Sequence, residues 1–207
     1  MKALFRPLAA LALVLAVPLA ASAETARRPA DPALEARVAD LLSRMSLEEK
    51  VGQMFLGGWS PDFDLKEVDD GALGILSNMD EAATTAKIRD RALTVRHGIP
   101  LIFSRDLIHG YRTLFPMPLG LAATFDEEAI RIAGLHTGRE GSAQGLTLNL
   151  GPMLDLSRDA RWGRVVEGPG EDPYLARRFA TAMVKGLSDG GMAATLKHFV
   201  GYGAAES

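Results

Sequence analysis

The stretch Arg158-Asp159-Ala160-Arg161-Trp162-Gly163-Arg164 follows an apolar run at 146–155, and its position decides the fold class. Because the apolar run predicts a strand, these charged side chains lie at the predicted end of that strand and not on the solvated face of a helix. The same arrangement recurs at Arg105-Asp106, after the run 100–104, and at Lys197-His198, after the small residues 193–196. Barrel enzymes build their sites from several strand ends, whereas a doubly wound sheet uses one switch point. Polar groups at three strand ends therefore favour a closed (β/α) barrel.

Short apolar runs alternate with amphipathic stretches along the chain, which predicts parallel strands joined by helices. We expect strands at 72–77, 100–104, 146–155 and 192–199, with a further candidate at 53–56. Helices are expected at about 81–97, 126–144 and 173–188. An open doubly wound sheet has the same alternation, but no dinucleotide-binding glycine fingerprint opens any of these helices.

Capping signals predict where the helices begin and end. The predicted starts combine an N-cap side chain with a first-turn proline or with a glutamate three residues later. They are Asp31-Pro32, Ser46 with Glu49, Thr124 with Glu127, and Asp172-Pro173. Gly98 is expected to close the helix at 81–97.

The length of the chain limits how much of a barrel it can form. A complete barrel needs roughly 250 residues, which is more than the 207 residues present. We therefore expect an α/β fold in which residues 31–207 form roughly the first half of a (β/α)8 TIM-like barrel.

The first residues have the pattern of an export signal. Lys2 and Arg6 precede an apolar core at 8–17, and Ala21-Ser22-Ala23 supplies a small-residue cleavage site. Residues 1–23 are predicted to be a cleaved signal peptide, followed by a polar lead-in at 24–30. A membrane anchor is the alternative, although the run is short for a bilayer and Pro18 interrupts it. The expected location is the periplasm or the exterior, with no stable membrane span after signal removal.

Composition excludes several classes of function. The chain has no cysteine, so disulfides and thiol chemistry are ruled out. Its net charge of −3 lacks the basic character of a nucleic-acid-binding protein. The four histidines show no metal-ligand spacing, and neither a metal nor another cofactor is expected. We expect a substrate that is uncharged or that is recognised by a local cationic pocket.

Four side chains at the strand ends are the candidate substrate-binding residues: Asp106, Arg164, Lys197 and His198. A carboxylate such as Asp106 can accept hydrogen bonds from two vicinal hydroxyls. Arg164 can donate a planar fork. A cation and an imidazole side by side at a buried strand end are costly unless they face a polar pocket.

Each candidate also has a structural interpretation that the sequence leaves open. Asp106 could cap a helix or turn. Arg161 and Arg164 could be salt-bridge partners of acidic residues in the same region, namely Asp159, Glu167 or Glu171, and His198 could be a satisfied core histidine. Carboxylates are also available at Glu140, Asp155, Glu167 and Glu171, but nothing in their spacing marks them for catalysis.

Several sequence blocks, taken together and in order, resemble glycoside hydrolase family 3, in particular its exported bacterial β-glucosidases. The blocks are Met45-Ser46-Leu47-Glu48-Glu49-Lys50-Val51-Gly52-Gln53, Asp106-Leu107-Ile108-His109-Gly110 with Thr113 and Phe115-Pro116, Pro152-Met153-Leu154-Asp155, Glu171-Asp172-Pro173-Tyr174, and Lys197-His198-Phe199. They extend over nearly all of the chain after the signal.

The resemblance implies that Asp106, Arg164, Lys197 and His198 bind hydroxyls of the glycone. It also implies a retaining hydrolysis of terminal, non-reducing β-D-glucosyl residues from a β-glucoside or oligosaccharide. The nucleophile and the acid/base of the family are expected beyond Ser207, so no catalytic residue is assigned in this chain. The alternatives are a β-N-acetylglucosaminidase of the same family and a non-catalytic sugar-binding or non-functional fragment. The segment Gly201-Tyr202-Gly203-Ala204-Ala205-Glu206 favours the glucosidase.

Overall fold

The computed structural model describes residues 31–202. The predicted signal peptide and the polar lead-in lie outside the described residues. The described chain divides into two units, one ending at Asp40 and one beginning at Leu41. The first helix, α1 (Pro32–Arg44), begins where the sequence predicts, because Asp31 Oδ1 accepts a hydrogen bond from Ala33 N at 2.9 Å.

A five-stranded parallel sheet forms the centre of the second unit. Its strands are β1 (Leu56–Gly58), β2 (Ile75–Ser77), β3 (Ile102–Arg105), β4 (Leu148–Asn149) and β5 (Ala193–Ala194). Each strand pairs with the next one in the sequence, in the order β1-β2-β3-β4-β5. A doubly wound sheet would reverse its order at a switch point. The sequential order is that of a TIM-type barrel, which confirms the predicted fold class.

Six further helices within residues 31–202 precede or connect the strands of the sheet. They are α2 (Leu47–Gly52), α3 (Lys66–Asp69), α4 (Ala82–Thr94), α5 (Pro118–Ala122), α6 (Glu127–Ala143) and α7 (Pro173–Asp189), with a short 3-10 turn at Val165–Glu167. Within residues 31–202, no helix is both long enough and apolar enough to cross a bilayer.

Two helix starts follow the predicted capping signals. The Ser46 side chain accepts a hydrogen bond from Glu49 N, and the Glu49 side chain accepts one from Ser46 N, which is the predicted capping box. Asp172 caps α7 by accepting a hydrogen bond from Leu175 N at 2.8 Å.

Two other capping predictions were wrong. The N-cap of α6 is Asp126, whose Oδ1 accepts hydrogen bonds from Glu128 N and Ala129 N, both at 3.0 Å. Thr124 instead accepts a hydrogen bond from Asp126 N. Helix α4 ends at Thr94, and Gly98 lies in the turn beyond it, in the left-handed region with a φ of +59°.

The strands are shorter than the apolar runs that predicted them, and β1 begins at Leu56 rather than at residue 53. After β4 the chain leaves the regular ladder, and Pro152, which has no N–H to donate, follows closely. Further on, a single parallel bridge joins Met153 to Lys197. The run 146–155 is apolar because its loop residues are also buried, so apolarity alone overestimated the length of the strand.

Two clusters of buried side chains form the core. The first packs the sheet against α4 and includes Leu76, Ile88, Phe103 and Met192. The second lies around α6 and α7 and includes Ile130, Phe179 and Leu187.

Glycines allow α6 and α7 to approach each other closely. A Cβ added at Gly186 would lie 2.2 Å from the Arg131 carbonyl oxygen, and one at Gly190 would lie 2.7 Å from Gly138 Cα. Gly134 and Gly138 on α6 are four residues apart and therefore share one helix face, as do Gly186 on α7 and Gly190 at its C-cap. The two helices consequently contact each other through main-chain atoms.

Candidate functional site

Asp106 directly follows β3, and its position is fixed through its neighbour Leu107. The side chain of Asn149, on β4, accepts a hydrogen bond from Leu107 N at 2.9 Å and donates one to Leu107 O at 3.3 Å. Asn149 is only 2% exposed, so both hydrogen bonds are shielded from water. The Asp106 side chain is 42% exposed and remains accessible.

Lys197 lies just after β5 and contacts Asp106. Its main chain donates to Pro152 O at 3.2 Å and accepts from Leu154 N at 2.7 Å. Its Nζ donates a hydrogen bond to Asp106 Oδ2 at 2.6 Å, and its side chain is 13% exposed. Within residues 31–202, Asp106 therefore pairs with a cation rather than capping a helix or turn.

His198 is held by a buried carboxylate, Asp155. The imidazole Nδ1 lies 2.8 Å from Asp155 Oδ2, which also accepts a hydrogen bond from His198 N at 3.2 Å. Asp155 Oδ1 accepts a hydrogen bond from Tyr202 N at 3.0 Å. The His198 side chain is 32% exposed, so it is not a core histidine.

Tyr202 lies between His198 and Arg164. Its ring meets the imidazole edge-on, with 4.6 Å between the ring centroids, and lies 5.2 Å from the ring of Trp162. Its hydroxyl accepts a hydrogen bond from Arg164 Nη1 at 2.8 Å.

Arg164 also forms a two-pronged ion pair with Glu167. The Nε and Nη2 atoms donate to the two carboxylate oxygens at 2.9 and 2.7 Å. These hydrogen bonds lower the pKa of Glu167 from its ordinary value against the opposing effect of burial, and the positive charges of Arg164 and Lys197 lower it further. The same pair raises the pKa of Arg164.

The structure links all four predicted residues. Asp106 bonds to Lys197, Lys197 adjoins His198, and Tyr202 connects His198 to Arg164. An open cleft of about 910 Å³ is lined by Asp155, Trp162, Lys197, His198 and Tyr202 among others. Such a cleft offers hydrogen-bond donors and acceptors beside aromatic faces, a combination suited to a neutral polyol.

The structure also contains salt bridges of the kind that the sequence left open for Arg161 and Arg164. Arg161 pairs with Asp159, and Arg164 pairs with Glu167. An arginine has five N–H donors, and within the described chain Arg164 uses three of them in its bonds to Glu167 and Tyr202. A structural ion pair and a ligand-binding role are therefore compatible at this residue.

The sequence singled out neither Asp155 nor Tyr202 as part of the site, whereas Glu167 was already a possible salt-bridge partner of Arg164. Asp155 could have been recognised from its place at the end of an apolar run. Burying a carboxylate there costs free energy unless hydrogen bonds compensate it, so such partners were to be expected. Tyr202 was visible as an aromatic residue between two glycines. Among residues 31–202, no three His, Asp or Glu side chains are grouped so that they could hold a metal ion.

Comparison with known proteins gives consistent matches. Residues 35–207 match the model of the Glycosyl hydrolase family 3 N terminal domain. A periplasmic β-glucosidase of Salmonella typhimurium is 39% identical over 186 residues, covering 84% of this chain and 24% of that protein. A periplasmic β-glucosidase/β-xylosidase of Dickeya chrysanthemi is 33% identical over 214 residues, covering 84% of this chain and 33% of that protein.

Solved structures give a similar result. The crystal structure of a β-glucosidase from Listeria innocua in complex with isofagomine is 39% identical, with a TM-score of 0.75. The match covers 83% of this chain and 26% of that one. The chain thus spans between about a quarter and a third of the length of these relatives.

Proposed function

The chain belongs to glycoside hydrolase family 3, and on that premise we propose that the full-length protein containing it is a β-glucosidase. In this proposal it hydrolyses terminal, non-reducing β-D-glucosyl residues of a β-glucoside or oligosaccharide, and the present chain supplies the glycone-binding part. The observation that carries the proposal is the series of contacts that runs from Asp106 through Lys197, His198 and Tyr202 to Arg164 at the strand ends, beside an open cleft that Lys197, His198 and Tyr202 line.

Each of the four side chains has a proposed part in holding the sugar. Asp106 accepts hydrogen bonds from hydroxyls through the carboxylate oxygen lone pairs that Lys197 does not use. Lys197 and Arg164 donate to hydroxyl oxygens. The imidazole of His198 contributes the nitrogen that does not face Asp155. Hydroxyl contacts that strengthen in the transition state raise kcat/KM, not only affinity.

We assign neither the nucleophile nor the acid/base to residues 31–207. A retaining glycosidase needs two carboxyl groups about 5 Å apart on either side of the scissile bond. Asp155 is buried under three hydrogen bonds, and Glu167 is engaged by Arg164. Both are better suited to holding other side chains than to attacking a sugar.

We also propose export to the periplasm or the exterior. The charge and apolarity pattern of residues 1–23 supports it, as does the similarity to two relatives named as periplasmic. Cell fractionation followed by N-terminal sequencing tests this proposal. We expect a mature N-terminus after Ala23, and an intact Met1 on cytoplasmic protein would contradict it.

The activity is tested with the purified full-length gene product and aryl β-D-glycosides that differ only in the sugar. We expect aryl release to be fastest from the glucoside. The D. chrysanthemi relative is named for both activities, so the β-xyloside is the second substrate. None of these relatives is named as a β-N-acetylglucosaminidase. The aryl N-acetyl-β-D-glucosaminide is therefore the third substrate, which tests that alternative.

A matched pair of variants tests whether the activity depends on the linked residues. Asp106→Asn removes a carboxylate from the proposed site, whereas Asp69→Asn removes one on α3 that pairs with Arg91 at the surface. We expect a large loss of kcat/KM only for Asp106→Asn. A folded wild type that releases no aryl group from any of the three substrates would overturn the proposed function.

A further inference from the structure

Asp155 holds two parts of the cleft with one buried carboxylate. The residue is 3% exposed. Its Oδ2 is bonded by both the main-chain N–H and the ring Nδ1 of His198, and its Oδ1 is bonded by the main-chain N–H of Tyr202. Three N–H groups from a five-residue segment therefore converge on two oxygens.

The contact at Nδ1 determines which imidazole nitrogen faces a ligand. An ionised carboxylate only accepts hydrogen bonds, so Nδ1 of His198 must carry the hydrogen in this contact. In the neutral ring, Nε2 is then an acceptor and is the nitrogen that Asp155 leaves unoccupied. The bond also fixes the rotation of the ring.

The contact at Tyr202 N determines the path of the chain between residues 198 and 202. It brings the tyrosine ring edge-on to the imidazole and its hydroxyl to Arg164. Because one carboxylate makes both contacts, the orientation of the His198 ring is coupled to the position of Tyr202, which bonds Arg164.

We propose that Asp155 is the positioning residue of the glycone site: it selects the Nδ1–H form of His198 and aims Nε2 into the cleft. The inference rests on the proposed function, because it takes His198 as a sugar ligand. A clamp that only stabilised the loop would need the same hydrogen bonds, so the test must separate the effect on His198 from the effect on folding.

A double-mutant cycle in the full-length protein makes this separation. Asp155→Asn replaces one of the two carboxylate oxygens by an NH2 donor, so a side chain in the same position can no longer accept at both the His198 oxygen and the Tyr202 oxygen. We expect Asp155→Asn to lower kcat/KM on the aryl β-glucoside by about tenfold. In a His198→Ala background, the same change should lower it by less than about twofold, because the imidazole that Asp155 orients is gone and only its contact with Tyr202 N is left to lose. Equal losses in both backgrounds would overturn the proposal.

A stability control accompanies the cycle. Asp126→Ala removes a carboxylate that accepts two main-chain hydrogen bonds at the start of α6, with none to His198 or Tyr202. We expect it to lower the melting temperature and to leave kcat/KM within about twofold of the wild type. A tenfold loss of kcat/KM in Asp126→Ala would show that destabilisation alone reproduces the Asp155 effect, and the proposal would fall.

If Asp155→Asn does not fold, a crystal structure of the unmodified full-length protein with a bound glucoside analogue tests the proposal without any variant. Nδ1 of His198 on Asp155 together with Nε2 on a sugar hydroxyl supports the proposal. Asp155 beyond hydrogen-bonding distance of Nδ1, or Nε2 without a sugar contact, overturns it. A wild type inactive on all three aryl glycosides refutes the proposed function, whereas an active wild type with additive losses refutes the role of Asp155 alone.

Discussion

Lys197 Nζ lies 2.6 Å from Asp106 Oδ2, and this ion pair joins the segment after β5 to the end of β3. The lysine is the more buried partner, so its charge depends on the carboxylate for compensation. Lysine has three N–H donors and a carboxylate has about four lone-pair sites. Both groups can therefore bind hydroxyls without breaking the pair.

Replacing Asp106 should reduce catalysis strongly. Asp106→Ala removes the proposed hydroxyl acceptor and leaves Lys197 without its compensating charge. We expect kcat/KM of the full-length enzyme to fall by about 100-fold, or about 3 kcal/mol. Steady-state kinetics on the aryl β-glucoside measures this, with Asp69→Asn as the unaffected comparison. An unchanged kcat/KM would remove Asp106 from the site.

The ion pair between Arg164 and Glu167 should make stability depend on pH. In the folded protein the pKa of Glu167 is lowered from its ordinary value of 4.5. A lowered folded-state pKa contributes stability that is present above the unfolded-state pKa and is lost as the pH falls through the folded-state value. We expect Glu167→Gln to be less stable than the wild type by about 1–2 kcal/mol near pH 7.

This difference should shrink as the pH falls below about 4.5. Denaturant unfolding of both proteins across that range measures it. Glu171→Gln, which removes an exposed carboxylate from the same region, serves as the comparison and should show little difference at any pH. A difference between wild type and Glu167→Gln that stays constant down to about pH 3 would contradict the prediction.

Asn149 should be important for stability although it contacts no proposed ligand. Asn149→Ala leaves Leu107 N and Leu107 O without their side-chain partner in a buried environment. We expect a loss of about 2–4 kcal/mol in the free energy of unfolding, together with a lower kcat/KM because Asp106 adjoins Leu107. Thr181→Ala removes a side-chain hydrogen bond on the exposed face of α7 and should cost less than about 0.5 kcal/mol. Similar losses in the two variants would argue against the anchoring role of Asn149.

Two glycine-to-alanine changes should have opposite effects. A Cβ at Gly186 would meet the Arg131 carbonyl at 2.2 Å, so Gly186→Ala should destabilise the protein by about 1–3 kcal/mol. The nearest atom to a Cβ at Gly120, in α5, is Pro116 Cβ at 3.7 Å. There the gain in helix propensity should dominate, and Gly120→Ala should stabilise by up to about 1 kcal/mol. Thermal unfolding checks both, and a neutral Gly186→Ala would contradict the close contact of α6 and α7.

The sequence was sufficient to predict the barrel, and it singled out the four side chains that the structure links, because the signal was local in each case. Their role in binding sugar stays a prediction. Charged residues directly after apolar runs marked the strand ends at Asp106 and Lys197. Asp172, next to a proline, marked the start of α7. Such features depend on a few neighbouring residues, and a single sequence displays them.

The remaining features depend on contacts between distant residues. Asp155 acquires its partners from residues 43 and 47 positions further along the chain. The early end of β4 depends on where the main chain leaves its neighbouring strands, which apolar periodicity does not encode. At α6, two possible caps lie two residues apart, and main-chain geometry selects Asp126 over Thr124.

The glycine contact between α6 and α7 also limits how much the positions of these two helices can vary. Where helices meet through long side chains, a change of rotamer lets one helix slide along the other. At the glycines the contact is between main-chain atoms, which have no rotamers to change. These helices precede β4 and β5, the strands that carry Asn149 and lead into Lys197. The strands that carry Asn149 and lead into Lys197 therefore follow two helices whose contact leaves no room for an added methyl group.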